Sequence, residues 1–314
     1  MANCHNLFGG FNTEISLTSN KKSKMTTSKD GIRERIRKYF KENHSEYTPK
    51  FYIQGSYKMK TGIRTKDDIC DLDDGVYFFR TPDVTATTLQ NWIWDAVNGY
   101  TATSPEHRKK CIRNIFSGDY EIDIPVYYKV SGEEYKIAVK DNGWENSDPK
   151  ALIDWFNNNN KDANGKIVKV IKELKTWCDY KRNKMPSGLA MTILAMNAKN
   201  NIVLNDRDDI LLTDILREIK KTLAQKFECI VPATPKDNLF ADYDETRKTN
   251  FLNNLDSFLS DAEAALKEQN HFKASKLWQK HLGNRFPDGE DKNEQSNSNS
   301  ATTTGAALSK PWGK

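Results

Sequence analysis

Apolar positions along the chain follow three successive periods. In the N-terminal part, Ile32, Ile36 and Phe40 recur every four residues behind Ser28, which can cap a helix. That spacing predicts an amphipathic helix starting near Ser28, with a basic face of Arg33, Arg37 and Lys41 turned to solvent. Between residues 50 and 140 the period drops towards two. Phe51-Tyr52-Ile53 and residues 69–79, 111–116, 120–130 and 134–139 read as strands, with a helix over 89–97 and turns at Gly118 and Ser131-Gly132. From Pro149 the helical period returns, over 151–156, 167–180, 189–198, 210–227 and 251–266. After Phe286 the chain turns to Asp, Asn, Ser, Thr and Gly, and 293–304 cannot build a core, so a disordered tail is expected.

These patterns predict an α+β protein: a mainly antiparallel sheet domain beside a helical second lobe. The expected divisions are an N-terminal helical segment packing across the lobes (1–45), the sheet domain (46–147), the helical lobe (148–286) and the tail (287–314). A chain of 314 residues is long enough for two such modest domains.

Composition narrows the classes. The longest apolar runs, such as Val76-Tyr77-Phe78-Phe79, are far too short to span a bilayer. The first residues lack the basic-then-apolar pattern of a secretion signal, so the expected location is the cytoplasm. Cys4, Cys70, Cys111, Cys178 and Cys229 are scattered and odd in number, which argues against a disulfide framework or a zinc site. The net charge of +5 suits a small anionic substrate without requiring a nucleic-acid groove.

The candidate chemistry lies in Gln54-Gly55-Ser56 and Asp71-Leu72-Asp73-Asp74-Gly75-Val76-Tyr77. In a strand Asp71 and Asp73 share one face while Leu72 faces the core. Two carboxylates so close are unfavourable unless a cation lies between them, and magnesium, with its preference for oxygen ligands, fits. In Glu121-Ile122-Asp123-Ile124-Pro125-Val126, Asp123 stands on the face opposite the apolar residues. If its strand neighbours the first, it completes a three-carboxylate cluster able to hold two ions for phosphoryl transfer. Gly55 lets backbone approach a phosphate closely, and Ser56 adds a hydroxyl donor. The competing reading of Asp73-Asp74-Gly75 is a hairpin turn, but an aromatic strand continues through it.

With these residues the chain resembles the bacterial cGAS/DncV-like nucleotidyltransferases (CD-NTases) of CBASS anti-phage systems, DncV-type members above all. The resemblance spans about residues 8–285 and also includes Ser147-Asp148-Pro149 leading to Trp155-Phe156. It implies a polymerase-β-like palm, a bilobal enzyme, and synthesis of a cyclic oligonucleotide, with a cyclic dinucleotide from ATP and/or GTP favoured. It further implies Asp71, Asp73 and Asp123 as the catalytic metal ligands, two Mg²⁺ or Mn²⁺ ions, and a phosphate grip by Gly55 and Ser56. Lys175 and Ser187 resemble the family's contacts to the donor triphosphate. Lys172 is an alternative to Lys175, and Ser187 reads equally well as a helix cap. Tyr57 and Met59 lie where some relatives place an aromatic against a base. Partners implied are nucleoside triphosphates, an effector activated by the cyclic product, and regulatory or conjugating CBASS proteins acting on a C-terminus such as 305–314. The zinc insertion of animal cGAS is absent, so DNA sensing is not expected, nor is a membrane. The alternative function is a linear oligonucleotide or RNA-tailing transferase of the oligoadenylate synthetase kind.

Overall fold

The computed structural model describes residues 2–291. Helix α1 (His5–Ile15) and the long α2 (Ser19–Asn43) precede the sheet. Strand β1 (Lys50–Gln54) runs into the one-turn helix α3 (Gly55–Lys58), and β2 (Cys70–Phe78) returns antiparallel to β1. Helix α4 (Ala86–Val97) then leads to β3 (Glu106–His107), β4 (Ile112–Phe116), β5 (Tyr120–Ile124), β6 (Val126–Tyr128), β7 (Lys136–Val139) and β8 (Gly143–Asn146).

The sheet order is β3-β4-β5-β2-β6-β7-β8, with β1 paired to β2. Most pairings are antiparallel, but β2 runs parallel to both β5 and β6. The expected strand over 120–130 is thus one bent path, broken where Pro125 has no N–H for the ladder. The Pro125 carbonyl still accepts from Val76 N at 2.9 Å.

The second lobe is built from α5 (Pro149–Asn160), α6 (Lys166–Lys181), α7 (Gly188–Lys199), α8 (Asp208–Gln225), α9 (Glu245–Lys267) and α10 (His271–Leu282). Asp148 caps α5 by accepting from Ala151 N, and Pro149 opens its first turn, where a missing N–H costs nothing.

Two large apolar cores result. One gathers Leu72, Val76, Phe78, Ile122 and Ile124 of the sheet against Ile32, Ile36 and Phe40 of α2 and Leu89 and Ile93 of α4. The other fills the helical lobe around Trp177, Leu212, Phe258 and Trp278, and α1 joins it through Phe8, Phe11 and Ile15. The Gly9-Gly10 pair of α1 disfavours helix by itself. Burial holds it there, with Phe8 edge-on to Trp278 and Phe286 at 4.9 Å each.

Helix α2 corrects two readings. It starts at Ser19, where the Thr18 side chain accepts from Lys21 N; Ser28 lies mid-helix with its hydroxyl 2.8 Å from the Tyr120 hydroxyl. The polar stretch before Ser28 stays helical because Lys21, Met25 and Lys29 are buried against the sheet side. Arg33, expected on a solvated face, instead grips the buried Asp74 of β2 with two bonds of 2.7 and 2.5 Å. At the far end, residues 287–291 continue past the expected tail boundary. Gly289 N donates to Ser275 Oγ at 2.9 Å and Lys276 pairs with Asp288 at 2.5 Å. Residues 292–314, which include most of that tail and the 305–314 segment, lie outside the described residues. No helix among the described residues is long and apolar enough to cross a membrane.

Because Asp74 is only 2% exposed, removing its partner strands a buried charge. Arg33→Ala should cost about 3–5 kcal/mol. The readout is a lower urea midpoint; an unchanged midpoint would show that α2 does not depend on this pair.

Candidate active site

Strand alternation brings Asp71 and Asp73 into one cleft between the sheet and the helical lobe. Leu72 and Asp74 of β2 point into the α2 side, so Asp71 and Asp73 point away from it, towards the helices. The parallel pairing sets Asp73 beside Asp123 in register, which supplies the neighbouring strand that the third carboxylate needs.

Gly55 sits at φ +61°, and a Cβ there would collide with the Asp73 carboxylate. Only glycine allows the turn to lie so near the acid. The turn is anchored from behind by the buried Gln54, whose Oε1 accepts from the Tyr77 hydroxyl at 2.8 Å and whose Nε2 donates to the Tyr127 hydroxyl at 3.0 Å. Gly75 makes room for that network, since a Cβ there would lie 2.8 Å from Gln54 Oε1. Ser56 Oγ is buried without a hydrogen-bond partner, a donor left for something else to accept.

The cleft, about 680 Å³, is lined by Gly55, Ser56, Asp71 and Asp73 on one side and by Lys175, Pro186 and Gly188 on the other. Lys175 Nζ donates to the carbonyl and the hydroxyl of Thr61, both at 3.1 Å. Burial pulls its pKa down to about 8, against the opposing pull of Asp71 and Asp73. Lys172, one turn earlier, does not line this cleft and donates to Ser16 Oγ at 3.0 Å. Met59 lines the cleft while Tyr57 does not. Ser187 acts as the cap of α7, accepting from Ala190 N at 3.2 Å, and its side chain does not join the lining.

Burial, then the charges of Asp71 and Asp123, push the Asp73 carboxyl up to about 7. Asp71 is exposed at the cleft surface yet crowded by protein atoms, and burial raises it too, with Asp123 adding to the rise. Acidic groups so raised are the signature of donors that lack a cation. As it stands the triad is held open: Arg113 donates to both Asp123 oxygens, at 2.6 and 2.7 Å, and also pairs with Glu121. Among the described residues no three His, Cys, Asp or Glu side chains are arranged to hold a metal ion. The donor set nonetheless fits a hard divalent cation: two unpaired carboxylates on one face, a third one strand away, and an orphaned hydroxyl in the adjoining turn.

Arg113 and Thr61 were not anticipated, and Gln54 was read only as the first residue of the Gly-Ser motif, without a role of its own. For Arg113 a signal existed, because it and Asp123 are equidistant from the turn at Gly118 and therefore pair across β4 and β5.

Residues 49–127 match the family model described as cyclic GMP-AMP synthase DncV-like, nucleotidyltransferase domain. Over those residues the chain is similar to the nucleotidyltransferase domain of the DncV-like synthases. Around it, a cyclic GMP-AMP synthase of Escherichia albertii is 29% identical over 245 residues, covering 70% of this chain and 55% of that protein. A cyclic AMP-AMP-AMP synthase of Acinetobacter is 25% identical over 259 residues, 75% of this chain and 72% of the relative. The chain thus spans only about 55% of the length of the E. albertii and Escherichia coli cyclic GMP-AMP synthases it matches. In structure, the Vibrio cholerae DncV cyclic AMP-GMP synthase aligns at TM-score 0.80 and 19% identity over 92% of this chain and 98% of that one. The 3′-deoxy GTP bound form of E. coli DncV aligns at 0.76 and 19% over 87% and 93%. The polymerase-β-like α+β fold of the DncV-like enzymes is therefore the fold of this chain, and enzymes of that fold generally use divalent metal ions.

The raised carboxyl makes a pH signature. Folded Asp73 keeps its proton to about 7, against an ordinary value of 3.8, so the native state binds the extra proton. Its contribution to stability is full below about 4 and is lost as pH rises through 7. In EDTA, Asp73→Asn should therefore melt a few degrees above the parent at pH 8 and close to it at pH 4. A melting difference that does not change with pH would refute the shift.

Proposed function

We propose that this chain is a cyclic oligonucleotide synthase, a nucleotidyltransferase that joins ATP and/or GTP with release of pyrophosphate and closes the product into a ring, a cyclic dinucleotide being favoured. The observation that carries this reading is the meeting of Asp71, Asp73, the Gly55-Ser56 turn and Lys175 around one cleft. The names of the relatives, synthases of cyclic GMP-AMP and cyclic AMP-AMP-AMP, support the same product class.

Asp71, Asp73 and Asp123 would hold two Mg²⁺ or Mn²⁺ ions, which supply charge neutralisation of the triphosphate and a more acidic attacking hydroxyl. For Asp123 to take part, Arg113 must give up at least one of its two bonds to that carboxylate. Ser56 donates its unpartnered hydroxyl to a phosphate oxygen, and the Gly55 backbone lets the phosphate approach. Lys175 reaches the same phosphates from the helical lobe and stabilises charge on the leaving pyrophosphate. Met59, Leu152, Ile153 and Leu189 form apolar walls against which a base can lie. In this reading the enzyme works in the cytoplasm within CBASS anti-phage signalling. Its product switches on an effector, and a conjugating or regulatory partner acts on it.

The test is incubation of the purified chain with all four triphosphates and Mg²⁺ or Mn²⁺, then phosphatase and mass spectrometry. A phosphatase-resistant mass of a cyclic di- or trinucleotide, lost in Asp71→Asn, is expected. Linear oligonucleotides would overturn ring closure in favour of the oligoadenylate synthetase-like alternative, and no product under any metal would overturn the enzyme reading. Lys175→Ala should lower turnover about 10²–10³-fold. Because Lys175 loses its proton near 8, turnover should fall as pH rises through that value, and Lys175→Arg should flatten this limb. An alkaline limb unchanged in Lys175→Arg would remove lysine from the phosphate grip.

A further inference from the structure

A second cavity, about 730 Å³, lies behind the cleft and plays no part in the chemistry above. Its wall includes Ile53, which pairs with Asp74 and so faces the α2 side of the sheet, opposite Asp71 and Asp73. Four lysines line it: Lys22 from α2, Lys58 and Lys60 from α3 and the turn after it, and Lys172 from α6. No carboxylate lines the cavity, and among the described residues none of the four lysines forms an ion pair. Lys172 is half-buried, and burial, then the Lys22 charge, lowers its pKa, while the other three lysines are exposed. Lys60 also sits at φ +60°, a left-handed conformation that a lysine adopts at a cost. Tyr57, Ile53 and Val168 supply the rest of the wall as apolar surface.

Four positive charges around a partly apolar cavity of this size match a ligand that carries several phosphates on a flat, apolar body. We propose that this cavity is a second site, outside the catalytic cleft, for a small polyphosphate ligand of the nucleotide class, and that its occupation governs the cleft. The link is physical. Helix α3 presents Gly55 and Ser56 to the cleft but Tyr57 and Lys58 to the cavity. Helix α6 likewise presents Lys175 to the cleft and Lys172, one turn earlier, to the cavity. Thr61, which receives the Lys175 bonds, lies between Lys60 and the shared wall residue Gly62. Phosphates bridging Lys58 and Lys60 to Lys172 therefore set the spacing between Ser56 and Lys175.

Binding at the second site does not depend on the chemistry proposed for the cleft; only an effect on turnover rests on that reading. The experiment is calorimetric titration of the full chain with tripolyphosphate and with a non-hydrolysable ATP analogue, in EDTA so that the cleft carboxylates repel phosphate. The Lys22→Glu/Lys58→Glu double variant should weaken binding at least tenfold, with Lys22→Gln/Lys58→Gln as a milder check on folding. Lys175→Ala should leave affinity within twofold. In the Lys175→Ala chain, the ligand should also slow amide exchange across residues 55–62. The opposite pattern, loss with Lys175→Ala and none with the double variants, would overturn the proposal by placing all phosphate binding in the cleft. Binding of duplex RNA but of neither small ligand, with the same sensitivity at Lys22 and Lys58, would overturn it in favour of a nucleic-acid surface.

Discussion

Asp71 and Asp73 occupy alternate positions of one strand, and their charges meet in a cleft where protein atoms have replaced much of the water. Burial, and after it the charges of Asp71 and Asp123, moves the Asp73 carboxyl up to about 7. Much of the surrounding structure accommodates that strain. Gly55 gives up its side chain so that the turn can lie against the Asp73 carboxylate, and Lys175 enters from the other lobe as a partial counter-charge. Arg113 neutralises Asp123, the third acid, so that it does not add its full charge to the pair.

The neighbouring residues of the same strand do different work because they face the other way. Asp74, on the core side, would be untenable alone, and Arg33 of α2 compensates it with a paired contact. Gly75 returns to the cleft face but carries no chemistry; its bare backbone leaves space for Gln54 to tie Tyr77 to Tyr127. One nine-residue strand thus anchors the long helix on its back and, on its front, braces the turn that carries Ser56.

Helices α3 and α6 stand between two cavities of similar size, one acidic at its floor and the other ringed by lysines. Different positions along them give Ser56 and Lys175 to the first and Lys58 and Lys172 to the second. Any movement that brings the two helices together is felt on both sides, since close-packed elements shift as units.

Local periodicity and turn chemistry made much of this protein legible without coordinates. The alternation in β2 placed Asp71 and Asp73 on one face, the isoleucines around Asp123 oriented that acid, and the 3.6-residue spacing announced five helices of the second lobe. These features depend on neighbours a few residues apart. Within the expected N-terminal helical segment the bounds of α1 were not legible, because its glycines contradict propensity and distant residues such as Trp278 and Phe286 hold it in place. The true start of α2 and the inward turn of Arg33 were hidden for a similar reason: Asp74, 41 residues away, decides where that guanidinium lies. Choosing Lys175 over Lys172 for the cleft, and giving Arg113 to Asp123, required the packing of α6 against the sheet and the register of β4 on β5. The sequence by itself determined which residues share a face; the tertiary structure alone decided which faces meet, because that depends on burial and pairing between segments far apart in the chain.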